Sequence, residues 1–216
     1  MLATCSEVTC GLYYVHVMLL LYKSVFVQTM VFNSGVWSRL STTNFKALET
    51  AQLKCLKRFM RCAASTPNCF VYLELGVLPM KYEIHSRQLK FLFHVLTLKS
   101  TNPVLRMYQQ QLMYPFEPNW ATEIEQLKVV YGLPSNDKIA SMSKGEWKGT
   151  VKRAVRDKAR EFLLKEASTK KKLKDLSFND KFKPQPYLKR HSSKIAQTLF
   201  KIRGRSTNVL ENLNAG

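Results

Sequence analysis

An all-α fold, an irregular helical bundle followed by a basic and partly flexible helical arm, is the architecture this chain predicts. Three observations carry that expectation. Only 8 glycines and 8 prolines punctuate 216 residues, so long stretches run without a breaker. Within those stretches apolar residues recur near the 3.6-residue period rather than in strict alternation. The charge is also divided: Lys138 to Arg205 holds 21 Lys or Arg against 6 Asp or Glu, whereas residues 1–137 hold 13 against 8. A nearly neutral apolar block therefore precedes a cationic one. At 45% hydrophobic the chain can bury one sizeable core. The expected divisions are a leader over 1–16, a helical core over 17–132 and a basic arm over 133–216.

A first helix is expected from about His16 to Phe32, apolar nearly all round and hence central to the core. Val8 to Tyr22 carries no formal charge, which raises a signal anchor as an alternative. Thr9, Gly11, His16, Lys23, Ser24, Gln28 and Thr29 interrupt the span and no basic n-region precedes it, so a buried helix is the preferred reading. Ser34 and Gly35 loosen the chain before Trp37. Ser41 to Asn44 then offers N-cap residues for a second helix ending near Arg61. Its apolar stripe is Phe45, Leu48, Cys55, Leu56 and Phe59, with Lys54, Lys57, Arg58 and Arg61 off that stripe.

Pro67 opens a short helix through Glu74, and Gly76 to Pro79 turns the chain into a long helix over 79–99 that buries Ile84, Leu89, Leu92, Phe93, Val95 and Leu96. Asn102-Pro103 is a cap-then-proline signal for a helix to about Tyr114, which the Pro115 to Pro118 stretch breaks. Trp120, Ile124, Leu127 and Tyr131 recur at helical spacing until Gly132 and Pro134.

Ser143 with Glu146 three residues on reads as a capping box. The helix it opens sets Trp147, Val151, Ala154, Val155, Phe162 and Leu163 on one side, and Lys148, Lys152, Arg153, Arg156 and Arg160 on the other. Cations spaced along one face can follow a phosphate backbone while the apolar face docks on the core. The alternative is a merely solvated charged face. Lys170, Lys171 and Lys172 begin a basic run that, with Pro184 and Pro186, reads as an exposed linker. A last helix over 193–203 packs Ile195, Leu199 and Phe200.

The usual catalytic kits are missing. The sequence has no P-loop, no adjacent Asp-Asp and no His-Glu-x-x-His, so no catalytic residue, metal ligand or cofactor is assigned. Glu83, His85 and His94 lie close in sequence, but positions 83 and 85 point to different sides of a helix, and surface or interface histidines are expected. Cys5, Cys10, Cys55, Cys62 and Cys69 contain no C-x-x-C pair and are read as reduced thiols of an intracellular protein, nuclear or cytoplasmic.

Four phrases, in order, carry a further resemblance. They are Leu21-Tyr22-Lys23-Ser24-Val25-Phe26-Val27-Gln28-Thr29-Met30-Val31-Phe32-Asn33-Ser34 with Trp37; Tyr72-Leu73-Glu74-Leu75-Gly76-Val77-Leu78-Pro79-Met80 with Ile84 and Arg87-Gln88-Leu89-Lys90-Phe91-Leu92; Gln111-Leu112 with Pro115 and Asn119-Trp120; and Ala196-Gln197-Thr198-Leu199-Phe200-Lys201-Ile202-Arg203. Over roughly 18–205 the chain resembles the thumb and helical linker that follow the polymerase core in non-LTR (LINE-type) retrotransposon reverse transcriptases. Residues 1–16 match nothing in that family. The resemblance implies a grip on template and primer without chemistry, since the Tyr-x-Asp-Asp box and the zinc-knuckle cysteines are absent and a slice of a longer reading frame is expected. Tyr82-Glu83 departs from the basic or apolar pair of relatives.

The expected function is thus sequence-independent binding of RNA or RNA/DNA duplex by a non-enzymatic fragment. No small-molecule substrate and no membrane span are expected, and the oligomeric state is left open. The expected contact residues are Lys54, Lys57, Arg58, Arg61, Lys148, Lys152, Arg153, Arg156, Arg160, Lys170, Lys171 and Lys172. Two other classes stay open: a small basic RNA-binding or scaffold protein unrelated to retrotransposition, and a membrane-anchored basic protein.

Overall fold

The computed structural model describes residues 15–38, 40–114, 118–174, 176–179 and 181–205. The leader expected over 1–16, including Cys5 and Cys10, lies almost wholly outside them. Helix accounts for 71% of the described residues and none of them is in a strand, so the fold is all-α. The α-helices are α1 (Val15–Leu21), α2 (Val27–Met30), α3 (Thr42–Met60), α4 (Asn68–Leu75), α5 (Met80–Leu96), α6 (Pro103–Met113), α7 (Trp120–Val130), α8 (Asn136–Ser141), α9 (Lys144–Ser168), α10 (Tyr187–Arg190) and α11 (Ser193–Arg203). A π-helical turn, Tyr22–Phe26, joins α1 to α2.

The chain divides into two units, neither continuous in sequence: 1–30 with 50–77 and 160–216, and 31–49 with 78–159. The division expected at 132/133 therefore does not coincide with the division of the fold. Side chains on both sides of it share one core in the second unit, where Leu89, Leu92 and Ile124 pack with Trp147, Val151, Val155 and Ala159. Trp147 is fully buried and its indole N–H donates to the Leu89 carbonyl at 2.9 Å, so residues 144–159 are part of a packed body rather than an arm.

In the first unit, Gln52 sits mid-way along a buried polar chain. Its amide N–H donates to the Tyr22 hydroxyl at 2.6 Å, and its carbonyl oxygen accepts from Tyr72 at 2.9 Å. Such a chain is tolerated because each member finds a partner. The first helix is not apolar-buried all round as expected: Tyr22 and Leu19 are inside, but Leu20, Leu21 and Val25 are each about 60% exposed. Among the described residues no helix is long and apolar enough to cross a membrane.

Two turns and one anchored segment place the helices of this unit. Arg61 takes a left-handed conformation (φ 49°), and the Cys62 N–H reaches back to the Lys57 carbonyl at 3.1 Å. That closes α3 with the geometry usually left to glycine. Gly76 (φ 56°) ends α4, and a Cβ there would lie 2.4 Å from the Lys183 carbonyl carbon, so this position is confined to glycine twice over. The segment read as a linker is anchored: Leu173, Phe182 and Leu188 are buried, and the Gln185 N–H donates to the Glu74 carbonyl at 3.0 Å. In α11 it is Ala196 and Phe200 that turn inward, with the Phe200 and Phe70 rings 4.8 Å apart, while Ile195 is half exposed.

In the second unit α5 is central. The Gln88 amide donates to the Trp37 carbonyl at 2.7 Å, and the Trp120 indole donates to the Gly35 carbonyl at 2.9 Å, which pins the segment before α3. Asn102 caps α6 through the Val104 N–H. Asn119 and Thr122 form a reciprocal capping box on α7. Helix α8, which no sequence signal announced, is fixed by fully buried Ile139 and by Asn136, whose side chain joins Lys128, Glu125 and Tyr108 in one hydrogen-bonded cluster.

Candidate nucleic-acid interface

The expected capping box opens α9: the Ser143 N–H donates to the Glu146 carboxylate at 2.8 Å, and the Glu146 N–H donates to Ser143 Oγ at 3.2 Å. From there Trp147, Val151, Val155, Ala159, Leu163 and Ala167 form the buried stripe, one residue every four. The expected apolar side included Phe162, but Phe162 is 55% exposed. An i,i+4 stripe drifts round the helix by about 40° per step, so by the fourth turn it has reached Leu163 and left Phe162 about 100° behind.

The cations follow the same drift. Lys144, Lys148, Lys152, Arg156 and Arg160 each stand one residue beyond or three before a stripe position, in a ridge a quarter-turn round from it, at about 6 Å intervals along the axis. Lys144, Lys148, Lys152 and Arg153 are exposed and Arg156 half-buried. Lys148, Lys152, Arg153 and Arg156 have no hydrogen-bond or ion-pair partner among the described residues. Arg160 differs: its Nε donates to the Asn179 carbonyl at 3.4 Å, which holds it within the first unit.

The α3 cations fall into two kinds. Lys54 and Arg58 are exposed and line an open groove of about 410 Å3 together with Thr50, Lys57 and Asn68. Lys57 donates to the Ala64 carbonyl at 2.6 Å and Arg61 forms the turn, so both hold the end of α3 in place. Burial pushes the Lys57 ammonium below its ordinary value, against the pull of Cys62. Lys170, Lys171 and Lys172 are exposed in the turns after α9, with Leu173 buried beside them.

The residues considered for acid–base or metal chemistry do not come together. His85 is buried in the core rather than at a surface, and its Nδ1 lies 2.7 Å from the Tyr131 hydroxyl; burial, with a smaller push from Lys81, lowers its pKa to about 4. His94 is exposed. Among the described residues no group of three or more His, Cys, Asp or Glu could hold a metal ion. Cys55, Cys62 and Cys69 are free thiols, and burial raises Cys55 and Cys69 to about 11, well away from thiolate reactivity.

Sequence reasoning missed Lys90. It lies on α5 among core positions, where the helical pattern draws attention to the apolar residues, and only the packing of α5 against α9 brings it beside Lys148 and Lys152. Comparison with protein-family models, curated proteins and solved structures gives no match for this chain.

Proposed function

We propose that this chain is a non-catalytic nucleic-acid-binding segment, equivalent to the thumb and following linker of a non-LTR reverse transcriptase, which grips RNA or RNA/DNA duplex without sequence preference. The observation that supports it most is on α9: Lys148, Lys152, Arg153 and Arg156 have no partner among the described residues and stand clear of the stripe that the same helix buries. Charges fixed on a rigid helix and left unneutralised match a phosphate backbone, where each contact releases counterions. A net charge of +19 adds long-range attraction for any polyanion. The order of the four phrases supports the retrotransposon reading, and such a segment would act inside the cell.

Fluorescence anisotropy of labelled duplex RNA, RNA/DNA hybrid and scrambled sequences, titrated across a salt series, tests the binding claim. Binding that falls steeply with salt and ranks the sequences equally is expected; salt-insensitive binding, or none, contradicts it. Primer-extension assays should give no product above the protein-free control. Reading the flanking DNA for an in-frame Tyr-x-Asp-Asp box separates the retrotransposon reading from an unrelated basic scaffold protein.

A further inference from the structure

Lys90 is half-buried, and Glu83 is the one carboxylate whose charge favours its ammonium. Lys90 borders a notch of about 130 Å3 in the second unit, which Lys144, Lys148, Trp147, Phe93 and His94 also line. Three lysines and a histidine thus meet around a cavity without a carboxylate in its lining. An ammonium held partly out of water and beside like charges is unfavourable until an anion neutralises it. Burial is the main cause that lowers the Lys90 pKa; Glu83, the largest of the charge effects, raises it, and Arg87, Lys148 and Lys152 each lower it. The Trp147 indole N–H is already engaged by Leu89, so the tryptophan brings no competing donor, and the polar contacts fall to the ammonium groups and the His94 imidazole.

We infer that the notch between α5 and α9 is a phosphate subsite, where Lys90, Lys144 and Lys148 hold one backbone phosphate of a bound nucleic acid. The source of that phosphate rests on the nucleic-acid reading above; the anion chemistry of the notch does not. A space of this size suits a single tetrahedral oxyanion, and Lys148 and Lys152 continue from it along the α9 ridge. The notch therefore sets where a strand enters the ridge, and the ridge carries the strand onward.

Heteronuclear NMR of the full chain tests this through the indole N–H signals of Trp37, Trp120 and Trp147, with inorganic pyrophosphate and a short RNA duplex as separate probes. Both probes should move the Trp147 signal and leave the other two in place. The shift should be lost in Lys90→Met and in Lys144→Gln/Lys148→Gln. The second variant changes only exposed side chains and guards against a folding defect in the first. Its salt slope for RNA should fall by roughly 1.4 to 1.8 for two lost contacts. RNA binding with an unmoved Trp147 signal, or a shift that survives in both variants, overturns the subsite and spares the nucleic-acid reading. A pyrophosphate shift in a protein that binds no RNA overturns that reading, and the backbone-phosphate assignment with it.

Discussion

The Arg203 guanidinium donates to both carboxylate oxygens of Glu74, a side chain with no exposed surface. The pair ties the last turn of α11 to the end of α4, across 129 residues of sequence. Tyr187 adds its hydroxyl to the same carboxylate at 2.7 Å. Burial still outweighs these partners and holds the Glu74 carboxyl above its ordinary value.

Removing one partner of such a pair leaves a buried charge uncompensated. Arg203→Gln should therefore destabilise the first unit by about 3 kcal/mol in urea unfolding. The variant raises the Glu74 carboxyl further above its unfolded value, so the folded state favours the neutral acid. Stability is then fullest below the unfolded pKa and falls as pH rises through the folded one. The deficit should be smaller at pH 4.5 than at pH 8. An equal deficit at both would mean that Glu74 is not the group left unpaired.

Gly76 and Gly132 both have positive φ, and only Gly76 is crowded. Gly132→Ala meets nothing within 4 Å and should cost only the left-handed strain, about 1 kcal/mol. Gly76→Ala adds a clash with the Lys183–Pro184 backbone and should cost at least about 2 kcal/mol more. Thermal unfolding of the two variants side by side measures the difference, and equal losses would refute the close approach.

His85 gives the second unit an acid sensitivity. The folded state holds the imidazole neutral, with a pKa near 4, whereas the unfolded chain takes up a proton near pH 6.5. The folded pKa is depressed, so the stability it contributes is present above pH 6.5 and lost as pH falls toward 4, by up to about 3 kcal/mol. His85→Gln should flatten the stability profile across that window. A profile unchanged by the substitution would assign the sensitivity elsewhere.

The helices were legible where a local signal and a periodic pattern agreed. Ser143 with Glu146, Asn102-Pro103 and the Gly76 turn each mark a helix end through a hydrogen bond or a φ value that few residues supply. What was hidden depends on residues far apart in sequence. Nothing local to Lys90 signals that α9 will bring Lys148 near it, and nothing in residues 173–188 signals that Leu173, Phe182 and Leu188 will be buried. A basic composition makes such a segment look like a linker, although three anchors hold it. For α3, the sequence grouped four cations that the turn geometry separates: Lys57 and Arg61 close the helix, and Lys54 and Arg58 remain outward.

The central claim is that the α9 cations, the ridge together with Arg153, grip phosphates, and the salt dependence of RNA binding by Lys148→Gln/Lys152→Gln/Arg153→Gln/Arg156→Gln tests it most directly. Glutamine keeps much of the helix propensity, and none of the four side chains has a partner among the described residues, so circular dichroism and the urea midpoint should stay near those of the parent. The slope of log affinity against log salt should fall by about 3 if all four make contact, and affinity should drop equally for every sequence tried. A slope unchanged in a folded variant would contradict the claim and leave the ridge a solvated face.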